Sequence, residues 1–209
     1  MIWLALAVLL AIEPFWQIKP PAEWNDLELS QILSDSPWAQ MAAQSGKARV
    51  GKNAGEGQLV QVYLATAGPI AKAVAERARR AERRRPGTAK SLADDPLSEE
   101  RSVWFADNRE GHVIVAARVG NNNAFSSDSE SRRMEQDCAM DLGRHRVTLS
   151  AYFPPTPSDS YLYLAFPRDP GAGSDNAVTF ELYLPGVAGP YRTVTFKLKD
   201  MLVGGKLEL

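Results

Sequence analysis

The sequence predicts an α+β domain, and three observations in its 209 residues carry that reading. Amphipathic helical patterns recur before residue 145, alternating apolar segments crowd the last third, and strong turn signals separate those segments. The expected arrangement is an N-terminal helical hairpin and two longer helices packed on a mostly antiparallel sheet. Residues 1–13 read as signal-like, 14–23 as a proline-containing linker and 24–209 as one α+β domain.

The chain opens on an unbroken apolar run, Met1-Ile2-Trp3-Leu4-Ala5-Leu6-Ala7-Val8-Leu9-Leu10-Ala11-Ile12, that stops at Glu13-Pro14. A secretory signal needs an apolar core of about 7–15 residues, whereas a bilayer-spanning helix needs about 20. The run therefore predicts export, to the periplasm or the extracellular space, with the chain N-terminally tethered where the signal is not cleaved. It has no basic leader, and neither Ala5-Leu6-Ala7 nor Ala11-Ile12-Glu13 makes a good cleavage site. A helix or strand packed into the domain is the competing expectation for it. Lys19-Pro20-Pro21 then reads as a stiff extended spacer.

The first ordered element begins at Trp24. Asn25 caps a helix with Glu28 three places on, and Leu29, Ile32 and Leu33 form its apolar stripe. Ser36 would cap a second short helix through Pro37-Trp38-Ala39, since proline is well placed in a first turn. Trp24, Trp38 and Met41 would anchor this hairpin. Residues 47–50 and 58–66 read as strands around a glycine-bearing loop, 51–57. Its Gly51, Gly55 and Gly57 fit neither phosphate-loop spacing, so a hairpin loop is the reading.

A helix over 69–85 places Ile70, Val74, Ala78 and Ala81 on one side. Lys72, Arg77, Arg79, Arg80, Arg83, Arg84 and Arg85 lie elsewhere on it, offset by Glu76 and Glu82. Clustered cations can hold nucleic acid or anionic lipid. A solvated face with arginines complementing the helix dipole is the plainer reading, because no aromatic residues interleave to stack on bases. Residues 86–101 read as an exposed loop. Residues 103–105 and 112–119 would form a hairpin across Asp107-Asn108-Arg109-Glu110-Gly111. A helix over 128–142 follows, then four consecutive strands at 146–153, 160–166, 177–184 and 192–199, with alternation clearest in Val178-Phe180-Leu182-Leu184 and Val194-Phe196-Leu198.

Net charge is −1 and the apolar fraction 44%, so nothing global points to a polyanionic partner or to disorder. One cysteine, Cys138, cannot form an internal disulfide. Met134, Cys138 and Leu142 share helical spacing, which makes Cys138 a core residue rather than a nucleophile. The catalytic inventory is thin: His112 and His145 stand on strand edges without companions at metal-ligand spacing. Asp94-Asp95 and Glu99-Glu100 fall in the expected loop and read as solvated.

A resemblance spans the chain from Trp24 to its end. Trp24, Glu28-Leu29, Ile32-Leu33 and Ser36-Pro37-Trp38-Ala39 carry it at one end. Phe166-Pro167-Arg168, Phe196-Lys197-Leu198-Lys199-Asp200-Met201 and Gly204-Gly205-Lys206-Leu207-Glu208-Leu209 carry it at the other. The pattern resembles a family of uncharacterised exported bacterial proteins of acidobacterial type. That resemblance implies export and a single α+β unit, and implies no activity, cofactor or catalytic residue. The arginine-heavy helix and the missing basic leader depart from it.

The function expected from sequence is an exported envelope or secreted domain with a non-catalytic protein-interaction or structural role, using a sheet edge or the tryptophan-bearing helices. The alternative is a peripheral membrane-surface binder through the Arg-rich helix, residues 72–85, with Arg77, Arg80 and Arg84 touching the anionic surface. An enzyme of unknown type ranks third. No catalytic residue, cofactor or metal ligand is assigned, nucleic acid is not an expected partner, and Trp24, Trp38 and Met201 are structural anchors.

Overall fold

A computed structural model describes residues 13–45, 58–86, 95–120, 123–168 and 176–209. The signal-like run, the strand expected at 47–50 and the glycine loop at 51–57 lie outside the described residues. No helix among the described residues is long and apolar enough to cross a membrane.

The expected spacer is not extended along its length. Phe15–Ile18 forms one helical turn, α1, and Pro21–Glu23 a 3-10 turn, with Pro20 alone in polyproline geometry between them. Aromatic packing pulls the segment back onto the domain: Phe15 meets Trp24 at 5.8 Å between ring centroids, and Trp16 meets Trp38 at the same separation. Helix α2, Asp26–Ser34, begins as its sequence predicts. Asn25 accepts from the Glu28 amide, Glu28 accepts from the Asn25 amide, and Leu29, Ile32 and Leu33 are buried.

The second half of the helical hairpin is absent. Ser36 and Ala39 exchange backbone hydrogen bonds of 3.0 and 3.1 Å around a tight turn, and Ala39–Ala42 continues as strand β1. Proline at position 37 suits a turn as well as a helix start, and pairing of β1 with β2, Val60–Leu64, decides between them. Trp24, Trp38 and Met201 are buried, as anchors must be, whereas Met41 is half exposed.

Helix α3, Gly68–Arg84, buries Pro69, Ile70, Ala73 and Glu76. Ala78 and Ala81, expected inward, face solvent. A larger correction concerns residues 96–108. Pro96–Asn108 is helix α4, not a loop followed by a strand. Asp95 caps it by accepting from the Leu97 amide at 3.2 Å, Pro96 fills its first position, and Trp104 and Phe105 pack on Phe153. The hairpin expected at 103–119 therefore exists only as its second arm, β3, His112–Arg118.

Helix α5 covers Asp128–Asp137, and Cys138 ends it. Ala139–Leu142 is strand β4 rather than more helix. Met134, Cys138 and Leu142 are all buried, but Cys138, Met140 and Leu142 reach the core at strand spacing. The strand expected over 146–153 divides into β5, His145–Thr148, and β6, Ala151–Phe153. Strands β7, Tyr161–Pro167, β8, Ala177–Tyr183, and β9, Tyr191–Lys197, follow, then a small hairpin of β10, Leu202–Val203, and β11, Lys206–Leu207.

These strands form two main antiparallel sheets, not one: β1-β2-β3-β7-β6 and β5-β4-β8-β9. Val178, Phe180, Val194 and Phe196 on the second sheet enter one continuous core with Val62, Val115, Leu164 and Phe166 of the first. The Phe166 and Phe180 rings meet at 5.5 Å across it. The sheets join along both sides. Between β5 and β6 the chain passes directly from one to the other, and a bridge between Gln44 and Arg192 ties the β1 end to β9. Inner faces are thus spent on each other. The outer face of the first sheet is left to α2, α3 and α4.

The chain end positions α3. Ala67 supplies no side-chain cap, and the Gly68 amide donates to Glu208 Oε2 at 3.0 Å instead. A carboxylate there satisfies an open helix donor and meets the positive end of the dipole. Trp38 Nε1 holds the same residue by donating to the Glu208 carbonyl at 2.7 Å. A Cβ on Gly68 would stand 2.7 Å from Glu208 Oε2. Glu208→Ala and Gly68→Ala should each cost about 1 kcal/mol in urea unfolding, by losing the same cap. The double variant should cost about the same as either alone. Full additivity would show that no shared interaction exists.

Candidate functional site

Two grooves flank α3 above the first sheet. The one toward α2 has a volume of about 490 Å³ and is lined by Arg77, Arg80, Arg84 and Arg118 with Asp26, Met41 and Gln61. It contains all three arginines expected from sequence as anionic-surface contacts, but the fold has engaged two of them. Arg80 bonds Glu76 at 2.7 Å, Asp26 at 2.8 Å and the Trp24 carbonyl. Arg84 reaches Asp26 at 3.1 Å. Arg80 therefore fastens α3 to α2, whereas Arg77 and Arg84 are both exposed.

Glu76 explains why so charged a helix sits on an apolar sheet. Its carboxylate is buried, and Arg79 and Arg80 donate to it at 2.5–2.7 Å. Those hydrogen bonds, Arg79 first, hold its pKa down to about 2. Arg80 and then Arg84 likewise keep Asp26 below the usual carboxylate range.

The second groove lies between α3 and α4 and encloses about 460 Å³. Ile70, Ala71, Val74 and Phe105 form its apolar walls, and Tyr63, Ile114 and Tyr163 its floor. Strand pairing sets that floor: Tyr63 stands opposite Ala116, which stands opposite Tyr163, so both phenols emerge on one face. Burial raises both phenols well above the ordinary tyrosine range, keeping them as neutral donors. Tyr163 donates to Asp159 Oδ2 at 2.9 Å.

Arg101 stands on the α4 wall. Its guanidinium carbon sits 4.5 Å from the Tyr163 ring centroid, and Nη2 pairs with Asp159 at 2.9 Å and donates to Ser98 Oγ at 3.2 Å. Only 11% of the side chain is exposed, and Nη1 is buried with no hydrogen-bond partner. Arg109, two turns on, donates to the Thr66 carbonyl at 3.1 Å. Among the described residues the walls and floor include no aspartate or glutamate.

Sequence reasoning did not find this groove, because it read 96–101 as loop and 103–105 as strand. Two signals for it were present: Asp95-Pro96 as a helix start with Arg101 and Phe105 one turn apart, and Tyr161-x-Tyr163 on one strand face.

Other candidates resolve into structure. Burial pushes the Cys138 thiol up to about 12, so it stays protonated, and its sulfur accepts from the Tyr183 amide. His112 Nδ1 lies 3.1 Å from the Asn108 carbonyl, with its ring against Trp104. His145 is exposed on β5. Among the described residues no group of His, Cys, Asp or Glu could hold a metal ion. Asp95, expected to be solvated, caps α4 and accepts from Ser158 Oγ.

Comparison of the chain with protein-family models, with curated proteins and with solved structures finds no match.

The Glu76 cluster gives a signed pH dependence. A carboxylate depressed from 4.5 to about 2 contributes stability above pH 4.5 that is lost as pH falls toward 2. Urea unfolding of the wild-type chain should weaken across that window, and Glu76→Gln should flatten the slope while lowering stability at pH 7. An unchanged slope in the variant would remove Glu76 from the account.

Proposed function

We propose that this chain is an exported, non-catalytic binding domain whose recognition surface is the α3–α4 groove on the outer face of the five-stranded sheet. The observation that carries the reading is the groove itself, about 460 Å³ of largely apolar lining on which Tyr63, Tyr163, Arg101 and Arg109 converge. A concave, largely apolar site with a few convergent polar groups is also the usual form of a small-molecule site, at volumes of about 300–1,000 Å³. The apolar run over residues 1–12 supports export.

Of the two surfaces expected from sequence, a sheet edge and the tryptophan-bearing segment, this reading sets aside the second. Trp24 and Trp38 are buried and are not available to a partner. A second reading, peripheral attachment to an anionic membrane, draws support from Lys72, Arg77 and Arg83, which stay exposed along α3.

The test is native mass spectrometry of the full chain isolated from the envelope fraction of its own cells. Wild-type protein should carry a bound small molecule, and Ala75→Trp and Ala106→Trp, which fill the groove from exposed positions, should not. Absence of any bound mass, or equal mass in the filled variants, contradicts the groove. Recovery from the cytoplasm alone contradicts export, and attachment to anionic vesicles that survives groove filling favours the second reading.

A further inference from the structure

The groove on the other flank of α3 gathers positive charge that the fold does not neutralise. Arg77, Arg80 and Arg84 of α3 and Arg118 of β3 line its volume of about 490 Å³, and Asp26 is the one carboxylate beside them. Four cations against one anion leave this lining with a formal excess of three positive charges. Asp26 is already divided between Arg80 and Arg84, at 2.8 and 3.1 Å, and the buried Glu76 between Arg79 and Arg80. Arg77 and Arg118 are exposed and make no hydrogen bond or ion pair with their side chains among the described residues.

Both unpaired arginines overlook one floor. Ala116 stands opposite Tyr63, so Arg118, two residues further along β3, shares the outer face with Tyr63 and Gln61. Gln61 is already engaged: its Oε1 accepts from the Tyr161 hydroxyl at 2.9 Å, and its Nε2 donates to the Leu33 carbonyl at 2.6 Å. Burial raises the Tyr63 phenol, and the charge of Arg77 opposes that rise, which places this guanidinium above the sheet from the helix side. Two guanidinium groups thus reach the groove from different elements, and neither has been spent on holding the fold together.

The charge count selects the ligand. An excess of three positive charges suits a phosphate monoester, with about two negative charges and three acceptor oxygens, better than an anion carrying one. Guanidinium forks match phosphate oxygens in pairs, and such charge-assisted bonds are roughly twice as strong as neutral ones. Met41 and Ala81, both exposed on the lining, offer carbon to the organic part of the ester. We propose that the α2–α3 groove binds a phosphate monoester, with Arg77 and Arg118 closing on the phosphate from helix and sheet and Arg84 adding charge beside them. Arg80 touches no ligand and positions α3. The site is separate from the α3–α4 groove, and neither reading depends on the other.

Titration calorimetry of the full chain with phenyl phosphate and phenyl sulfate, at neutral pH and constant ionic strength, tests this. Phenyl phosphate should bind about tenfold or more tighter than the singly charged sulfate, the ratio that one further charge-assisted hydrogen bond supports. Arg77→Gln and Arg118→Gln should each weaken phenyl phosphate about tenfold while leaving the urea midpoint unchanged or raised, because each relieves repulsion and breaks no ion pair. A merely structural role would lower that midpoint. Co-sedimentation with phosphatidylcholine vesicles carrying phosphatidic acid separates the two sources of a monoester. Attachment that phenyl phosphate displaces identifies a lipid head group, and binding of phenyl phosphate without attachment identifies a soluble ester.

Equal affinity for the phosphate and sulfate esters overturns the monoester assignment. Affinity unchanged in both glutamine variants overturns the site. Failure of phenyl phosphate and of phosphatidic acid vesicles alike overturns both, and leaves the α3–α4 groove to its own test.

Discussion

A buried guanidinium that meets no carboxylate among the described residues, Arg192, closes the seam between the two sheets, and the rest of the architecture depends on it. The side chain is 1% exposed. Nη1 donates to the Tyr191 carbonyl at 2.9 Å and to the Gly189 carbonyl, and Nη2 to the Gln58 carbonyl at 2.8 Å. Burial draws its pKa below the ordinary arginine value, although an arginine keeps its proton under all ordinary conditions. The bonded carbonyls belong to the turn that leads into β9 and to the residue two places before β2. Gly189, at φ +57°, allows that turn to press on Gln44, whose side chain a Cβ would meet at 2.3 Å. This junction adds to the Gln40–Thr195 and Ser45–Tyr191 hydrogen bonds that hold β1 against β9.

Closure at the seam explains where a site can be. With the inner faces of both sheets consumed by one core, the outer face of the first sheet is covered by helices that touch it unevenly. Helix α3 is pinned at its start by Glu208 and along its length by Glu76 and Arg80, while α4 rests on Trp104, Phe105 and Arg101. The space between them is the groove. Arg192 and Arg101 each retain one unmatched nitrogen, but they differ in kind. Arg192 spends its remaining donors on backbone that must be held. Arg101 spends its own on Asp159 and Ser98 while lying over the Tyr163 ring, which fixes α4 to the sheet.

Much of the fold was legible because local and tertiary forces agree there. Asn25 and Glu28 form their capping box as written, and the alternation of Val178, Phe180 and Leu182 gives an inner face. Local signals misled where two structures share them. Pro37 opens a turn as readily as a helix, and only pairing with β2 selects the turn. Trp104 and Phe105 favour strands by propensity, yet a cap at Asp95 and a receptive surface at Phe153 make them helical. Division of the last strands between two sheets depends on long-range register, which no window of sequence encodes. The groove was invisible for the same reason. Its floor comes from β2, β3 and β7 and its walls from α3 and α4, elements far apart in the chain.

The account stands most directly on Arg192, and equilibrium unfolding of Arg192→Met measures it. Methionine keeps a long, flexible side chain while removing every donor, so the carbonyls of Gly189 and Gln58 lose their partner. At about 1.5–3 kcal/mol for each hydrogen bond to a charged group, a loss of about 3 kcal/mol or more is expected, lowering the thermal midpoint by roughly 6–12 °C for a chain of this size. A midpoint within about 1 °C of wild type would contradict the claim that this guanidinium holds the two sheets together.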